Sequence, residues 1–177
     1  MRIISGTLGG RRIQPPAHMP HTRPTTDIAK EGLFNILQHQ LNFEELNSLD
    51  LFGGTGCITY ELASRGAQQL TIVEQDAKMY TFIKATAAQL GIPIAAYHME
   101  VFSYIKTCTA TYNFIFAGPP YALTTIDELP KLIFELKLLQ PQGLLVLEHT
   151  PRNSYKAHAH YVKERNYGTT IFSFFTM

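Results

Sequence analysis

The stretch Leu49-Asp-Leu-Phe-Gly-Gly-Thr-Gly56 decides the fold of this chain. An apolar run as long as a strand ends in three closely spaced glycines, and a helix-forming segment follows. Glycines let the backbone turn tightly and approach a ligand, and the next helix offers unpaired N–H groups and a positive dipole end. This pattern predicts a nucleotide-type loop. A purely structural turn would use the same glycines, and the dinucleotide fingerprint is incomplete because position 59 is Thr.

From residue 48 onward, short apolar runs alternate with amphipathic stretches of helical length. Strands are expected near 48–52, 70–74, 94–98, 112–117 and 143–148, and helices near 57–65, 77–90, 101–106 and 125–138. Such alternation is typical of βαβ units and a mostly parallel sheet covered on both faces. Two further strands are expected at 161–165 and 169–175 without a helix between them, which predicts an antiparallel hairpin at the sheet edge.

The segment before the sheet has a different character. Residues 2–13 predict a hairpin around a Gly-rich turn, and the prolines that follow predict an extended linker. A helix is expected from about 26 to 40, capped by Thr25 or Thr26. We expect one domain over residues 1–177, with 1–25 as a basic extension.

Composition limits the class of protein. The chain has 177 residues, of which 45% are hydrophobic and 16% charged, as in a soluble globular protein. Its apolar runs have the length of strands and fall short of a membrane span, and no signal sequence opens the chain, so we expect a cytoplasmic protein without a membrane partner. The two cysteines, Cys57 and Cys108, are too far apart in sequence to predict a disulfide framework or a metal site. We expect a monomer.

Net charge is only +1, but basic residues are concentrated near the ends of the chain. Such a distribution suits a protein that holds a small ligand centrally and a polyanion at its periphery. The candidate contacts to a polyanion are Arg2, Arg11, Arg12, Arg23 and Thr25. Ordinary solvated surfaces would have the same composition.

Acidic residues follow the predicted strands. Glu74 ends the second strand, where related folds place a carboxylate on ribose hydroxyls, and Asp50 can face an ammonium group or its water. Glu100 follows the third strand and could accept from an adenine amino group, although an exposed glutamate is an equal interpretation. A ligand that carries adenosine at one end and an ammonium group at the other, without phosphate, is S-adenosylmethionine. The candidate cofactor residues are Asp50, Phe52, Gly53, Gly54, Thr55, Gly56, Glu74, Gln75, Glu100 and Val101.

A rigid turn follows the fourth predicted strand, in Phe116-Ala-Gly-Pro-Pro-Tyr121. Two prolines fix the backbone and remove two N–H donors, so a carbonyl there can accept from an exocyclic amino group. The tyrosine ring can stack on a base taken out of its helix. A rigid connection between strand and helix is the alternative. The candidate catalytic residues are Gly118, Pro119, Pro120 and Tyr121.

Together these motifs resemble the RsmD family of ribosomal RNA guanine-N2 methyltransferases over nearly the whole chain. The loop at 49–56 is similar to the family's LDLFAGSG, Val73-Glu74 to its ribose-binding acid, and Arg23-Pro-Thr25 to its linker. The resemblance implies S-adenosylmethionine as methyl donor, S-adenosylhomocysteine as product, and small-subunit ribosomal RNA as partner. It also implies a class I methyltransferase (Rossmann-like) α/β fold, with a mostly parallel seven-stranded sheet, an antiparallel C-terminal hairpin, and a small N-terminal β-hairpin and helix.

One position departs from the family. The family's turn is Asp-Pro-Pro-Tyr, in which the acid and the first proline carbonyl hold the target amino group, whereas this chain has Gly118. A neighbouring acid or a water could replace the carboxylate, the protein could bind cofactor and RNA without turnover, or glycine could be a variant of this one sequence. A DNA adenine or a protein glutamine also presents a planar amino group, but 177 residues leave little room for a DNA target-recognition domain.

Overall fold

A computed structural model describes residues 1–17, 19 and 25–177. Its strands are β1 (Asn47–Leu51), β2 (Gln69–Glu74), β3 (Ile94–His98), β4 (Tyr112–Ala117), β5 (Leu139–His149), β6 (Tyr161–Tyr167) and β7 (Thr170–Thr176). Its helices are α1 (Asp27–Leu37), α2 (Cys57–Ser64), α3 (Ala77–Leu90), α4 (Val101–Thr107) and α5 (Glu128–Glu135). No helix in this described part of the chain is long and apolar enough to cross a membrane.

The seven strands form one sheet in the order β3-β2-β1-β4-β5-β7-β6. Strands β1 to β5 pair in parallel, while β7 pairs antiparallel with both β5 and β6. The strand order reverses beside β1, so the carboxyl ends of β1 and β4 border a switch point, where open α/β sheets bind ligands. The predicted α/β fold and its C-terminal antiparallel hairpin are confirmed.

Helices cover both faces of the sheet. On one face, Phe114, Phe116 and Val146 pack against residues of α1 and α2. On the other face, Ile115 and Leu147 pack against residues of α4 and α5. Strand residues therefore alternate between two cores, as expected for a sheet buried on both sides.

The N-terminal segment is held by buried polar groups. The predicted hairpin forms around an antiparallel bridge between Arg2 and Arg12, where the N–H groups of Ile3 and Ile13 donate to the carbonyls of Arg11 and Met1, both at 3.0 Å. The completely buried Glu61 of α2 accepts hydrogen bonds from the backbone N–H groups of Ile4 and Ser5, at 2.7 and 3.1 Å. The buried ammonium of Lys30 donates to the carbonyl of Arg2. These contacts satisfy backbone groups that a longer hairpin would have paired within itself.

Several element boundaries differ from the predictions. Helix α1 ends at Leu37 rather than near residue 40, and α5 is shorter at both ends than predicted. Lys137 just after α5 adopts a left-handed φ of 56°, which turns the chain directly into β5. Strand β5 begins at Leu139, four residues before the prediction, because an irregularity in its pairing with β4 absorbs the sequence around Gly143.

Candidate functional site

The carboxyl ends of β1, β2, β4 and β5 surround a cavity of about 490 Å³, a size that suits a small-molecule ligand. It joins the Gly-rich loop after β1 to the Pro-Pro-Tyr turn after β4. The predicted site residues that line it are Thr25, Asp50, Phe52, Gly53, Gly54, Thr55, Glu74, Gln75, Val101, Gly118, Pro119, Pro120 and Tyr121.

The loop after β1 is shaped by close backbone contacts. Gly53 donates its N–H to the carbonyl of Val73 at 2.8 Å, and a Cβ on Gly53 would lie 2.6 Å from a side-chain carbon of Ile72. Phe52 adopts a φ of 64°, which is uncommon for a residue with a side chain and is found at functional sites. The glycines of the loop therefore bring backbone to the cavity wall, beside Phe52 and Thr55.

Glu74 connects this loop to the start of α3. One carboxylate oxygen accepts from the N–H of Gly54 and the other from the N–H of Asp76, both at 2.7 Å. Glu74 is 8% exposed and lines the cavity. Its negative charge is thus fixed at the rim, in reach of hydroxyl donors.

Asp50 lies deeper in the cavity wall. Its carboxylate accepts from the hydroxyl of Thr59 at 2.7 Å. Burial raises the pKa of Asp50 to about 7, and the Thr59 hydrogen bonds oppose this rise only in part. A cation bound nearby would favour the ionised form, so the residue suits an ammonium group.

Thr55 gives an independent sign of a polar ligand. Its hydroxyl is buried in the cavity wall and forms no hydrogen bond of normal geometry within the described part of the chain; the nearby thiol of Cys57 is a weak partner. Buried hydroxyls without a strong partner are rare, and a bound polar group would satisfy this one. Together with the ionisable Asp50, the rim carboxylate of Glu74 and the apolar Val101, the donor set fits S-adenosylmethionine.

The turn after β4 is held against β1. Gly118 donates its N–H to the carbonyl of Leu51 at 3.2 Å, and the carbonyl of Pro120 accepts from Leu123 at 2.9 Å. A Cβ on Gly118 would lie 2.9 Å from a ring carbon of Phe116. A side chain at this position is therefore accommodated only if the Phe116 ring moves.

The structure adds one acid that the sequence interpretation missed. Glu148, near the end of β5, is 5% exposed and lines the cavity. Its carboxylate accepts from the hydroxyls of Thr25 at 2.7 Å and Tyr121 at 3.2 Å. Tyr121 also lies 3.2 Å from the hydroxyl of Thr170. The signal was available, since Glu148 follows the apolar run 144–147 at the edge where the other site acids were expected.

Two predicted cofactor residues lie outside the cavity lining. Gly56 caps the N-terminus of α2 with a left-handed φ of 77°. Glu100 caps α4, accepting from the N–H groups of Phe102 at 2.9 Å and Ser103 at 2.8 Å, and it is exposed. These bonds hold the Glu100 carboxylate at its own helix, which favours the alternative of an exposed glutamate.

Of the candidate polyanion residues that the structure describes, Thr25 lines the cavity, whereas Arg2, Arg11 and Arg12 do not. Arg2, Arg11 and Arg12 are exposed on the N-terminal segment. Arg23 lies outside the described residues. Within the described ranges, no group of three or more His, Cys, Asp or Glu residues is placed to hold a metal ion.

A family model described as "Conserved hypothetical protein 95" matches residues 1–176. The chain belongs to this family. A Bacillus subtilis relative with the provisional name rRNA methyltransferase YlbH is 33% identical over 158 residues, which cover 84% of this chain and 82% of the relative. Ribosomal RNA small subunit methyltransferase D of Escherichia coli is 29% identical over 154 residues, covering 86% and 76%. The resemblance to the RsmD family is confirmed.

Solved structures share the fold of this member of the conserved hypothetical protein 95 family. A hypothetical protein of Thermus thermophilus superposes with a TM-score of 0.87 at 23% identity, covering 100% of this chain and 99% of its own. A SAM-dependent methyltransferase of Agrobacterium tumefaciens gives a TM-score of 0.63 at 22% identity, covering 84% and 61%. The sheet and the cavity at its switch point are thus built on a methyltransferase fold.

Proposed function

We propose that this chain transfers a methyl group from S-adenosylmethionine to the exocyclic N2 of a guanine in small-subunit ribosomal RNA. The observation that carries the proposal is the single cavity shared by the Gly-rich loop and the Pro-Pro-Tyr turn. One end of this cavity can hold the methyl donor while the other receives the base. The names of the curated relatives support ribosomal RNA as the substrate, and such a substrate implies action in the cytoplasm.

The loop end holds the cofactor in this proposal. The Glu74 carboxylate accepts from the ribose hydroxyls, Asp50 faces the ammonium of the methionine part, and the Thr55 hydroxyl bonds one of its polar atoms. Gln75 and Val101 flank the nucleoside. Gly53 and Gly54 line the cavity without side chains, so the ligand can approach the backbone there.

The turn end receives the base. The carbonyl of Pro119, held rigid by the two prolines, accepts from the exocyclic amino group, while the Tyr121 ring stacks on the flipped base. Tyr121 is well oriented for this because its hydroxyl is bonded to Glu148. Positioning is most of what the protein contributes, since the methyl donor is itself reactive.

In this proposal the N-terminal segment binds the RNA backbone. The bridge between Arg2 and Arg12 places two arginines opposite each other, an arrangement that is unfavourable unless an anion neutralises it. Thr25 contacts Glu148 in the cavity wall, and the carbonyl of Ala17 accepts from Lys78 at the start of α3, so both residues are anchored to the methyltransferase fold. The further phosphate contacts of the proposal are Arg11, Arg23 and Thr25.

The test is a methyl-transfer assay with small ribosomal subunits from cells that lack guanine-N2 methylation. The purified chain and labelled S-adenosylmethionine should yield N2-methylguanosine at one site in the RNA, identified by nucleoside mass spectrometry and mapping. Subunits that already carry the mark are the control. Labelled DNA, labelled protein glutamine or a different methylated nucleoside would contradict the proposal.

Gly118 favours a second candidate, a protein that binds cofactor and RNA without turnover. Removing one acceptor from the target amino group costs about 2 to 4 kcal/mol of transition-state stabilisation. Calorimetry combined with the same assay separates the two. Normal cofactor affinity with transfer only in the Gly118→Asp variant supports the binding protein and contradicts the enzyme.

A further inference from the structure

Glu148 lies beside the position where the turn has no side chain. The parallel register pairs Phe116 with Val146 and, at the end of β4, Ala117 with Leu147; Gly118 and Glu148 are the next residues along, and both line the cavity. Phe116 and Val146 share one core and Ala117 and Leu147 the other. Because side chains alternate along strands, Glu148 and any side chain at position 118 face the same side of the sheet.

The other acids of the cavity wall are held elsewhere. Asp50 is bonded to Thr59 of α2, and Glu74 bridges the loop after β1 and the start of α3. Asp76 caps α3 by accepting from the N–H of the third helical residue at 2.9 Å. Glu148 is the cavity acid bonded to the turn, through the Tyr121 hydroxyl.

An exocyclic amino group needs acceptors because its lone pair is conjugated with the ring. Two acceptors, one for each hydrogen, hold the nitrogen so that its lone pair points at the methyl group. The Pro119 carbonyl can serve one hydrogen. We propose that the Glu148 carboxylate serves the other, and so supplies from the neighbouring strand the acid that Gly118 lacks; this inference rests on the proposed function.

The proton balance agrees with this role. The bond from N2 to the methyl carbon forms as the bond from that carbon to the sulfonium sulfur breaks, with its electron pair left on sulfur. N2 then carries one proton in excess. Glu148 accepts this proton and releases it to solvent, since a carboxylate accepts at both oxygens and can bind several donors at once.

Activity measurements compare three proteins: the natural chain, Glu148→Gln, and the double variant Gly118→Asp with Glu148→Gln. Gln keeps the shape of Glu and removes its charge. We expect Glu148→Gln to lower kcat on undermethylated small subunits by about 30- to 1000-fold. Its affinity for S-adenosylmethionine in calorimetry should stay within about twofold of the natural chain. The double variant should regain at least about tenfold in kcat, because Asp at position 118 restores an acceptor.

Thermal stability provides a readout that needs neither cofactor nor RNA. In Gly118→Asp, two carboxylates face the same side, and their negative charges repel each other when both are ionised. This repulsion grows as pH rises through the range in which carboxyl groups ionise. Gly118→Asp should therefore lose thermal stability relative to Gly118→Asn between about pH 4 and 7. Asn places the same bulk against Phe116 and is the matched control. Adding Glu148→Gln should remove the difference.

Three outcomes would overturn the inference. Unchanged kcat in Glu148→Gln means that the carboxylate does not touch the amino group. A loss of kcat that Gly118→Asp does not repair, with a lower unfolding temperature, means that Glu148 only supports Thr25 and Tyr121. No transfer to ribosomal RNA by the natural chain, with normal cofactor binding, contradicts the proposed function itself, and the role of Glu148 falls with it.

Discussion

The two ends of the cavity are built differently. At the loop end after β1, backbone groups are closely packed, and Glu74 is fixed by two N–H donors. At the turn end after β4, the groups are side chains that come from distant parts of the sequence: Tyr121, Glu148 and Thr25. The loop end follows its family's sequence pattern, whereas the turn end departs from it at Gly118.

This difference determines which substitutions each end of the cavity tolerates. A backbone-built site is sensitive to any added atom, because a Cβ collides with neighbouring atoms. In a site built from converging side chains, a functional group can be supplied by a different residue, provided that its interacting atom reaches the same place. The loop end should therefore fail by steric conflict, and the turn end by loss of a specific group.

The largest effect is expected for Gly56→Ala at the loop end. Gly56 has a φ of 77°, and its Cβ would lie 2.5 Å from the ring of Tyr60, which is completely buried. Strain of about 1 to 2 kcal/mol and overpacking of about 1 to 3 kcal/mol should add, and cofactor binding should be lost with the loop geometry. Denaturant unfolding and calorimetry measure the two effects.

Gly91→Ala is the matched control for this substitution. Gly91 also has a left-handed φ, 68°, but a Cβ there meets nothing within 4 Å. It should lose only about 1 kcal/mol and keep full cofactor affinity. Equal losses in the two variants would show that backbone strain alone, without steric conflict at the loop, controls both positions.

The loop end was predictable from sequence, because its signals are local. Gly53, Gly54 and Glu74 lie next to the strands that position them, and parallel strands bring their ends to one edge. The turn end was only half predictable. The Pro-Pro-Tyr turn is a local motif, but the contact of Glu148 with Thr25 joins residues 123 positions apart, and it depends on a strand register that periodicity does not give.

The N-terminal hairpin at residues 2–13 was predictable, but its contacts with the rest of the chain were not. Its glycines and apolar residues are local signals, and the segment pairs with itself, since Ile3 and Ile13 donate their N–H groups to the carbonyls of Arg11 and Met1. Glu61 of α2 accepts hydrogen bonds from two N–H groups of this segment, and Lys30 of α1 donates a hydrogen bond to one of its carbonyls. These long-range contacts leave no pattern in the segment itself.

The next largest effect is expected for substitutions of Tyr121 at the turn end. Tyr121→Ala removes the stacking surface, which should cost about 1 to 3 kcal/mol in binding of a flipped base, or roughly 5- to 150-fold in kcat/KM for RNA. Tyr121→Phe keeps the ring and loses the bonds to Glu148 and Thr170, so it should lose only a small part of that. Cofactor affinity should be unchanged in both. A Phe variant as impaired as Ala would mean that the hydroxyl, rather than the ring, carries the function.

A smaller effect is expected at the loop end, as a dependence of cofactor affinity on pH. With a pKa of about 7, Asp50 is mostly protonated at pH 5.5 and mostly ionised at pH 7.5. If its carboxylate binds the ammonium, affinity for S-adenosylmethionine should rise about tenfold over this range. In Asp50→Asn this dependence should disappear. A flat affinity profile in the natural chain would mean that Asp50 does not face the ammonium.

The stability of the free protein should change in the opposite direction. The folded-state pKa of Asp50 lies above its ordinary value of 3.8, so ionisation costs more in the folded chain than in the unfolded chain. Its contribution to the free energy of unfolding is therefore complete below about pH 4 and lost as pH rises towards 7. Asp50→Asn should lose less stability than the natural chain over that window, as measured by denaturant unfolding at each pH.

The smallest effect lies outside both ends, at the N-terminal segment. If Arg12 contacts a phosphate, Arg12→Gln should weaken RNA binding a few-fold at moderate salt and reduce the slope of log affinity against log salt by about 0.7 to 0.9. The matched control is Lys131→Gln, an exposed cation of α5 on the opposite face, paired with Glu135. It should leave the slope unchanged. Equal changes in both variants would mean that overall charge, rather than a contact surface on the N-terminal segment, attracts the RNA. A change confined to Arg12 would place the RNA backbone on the N-terminal segment.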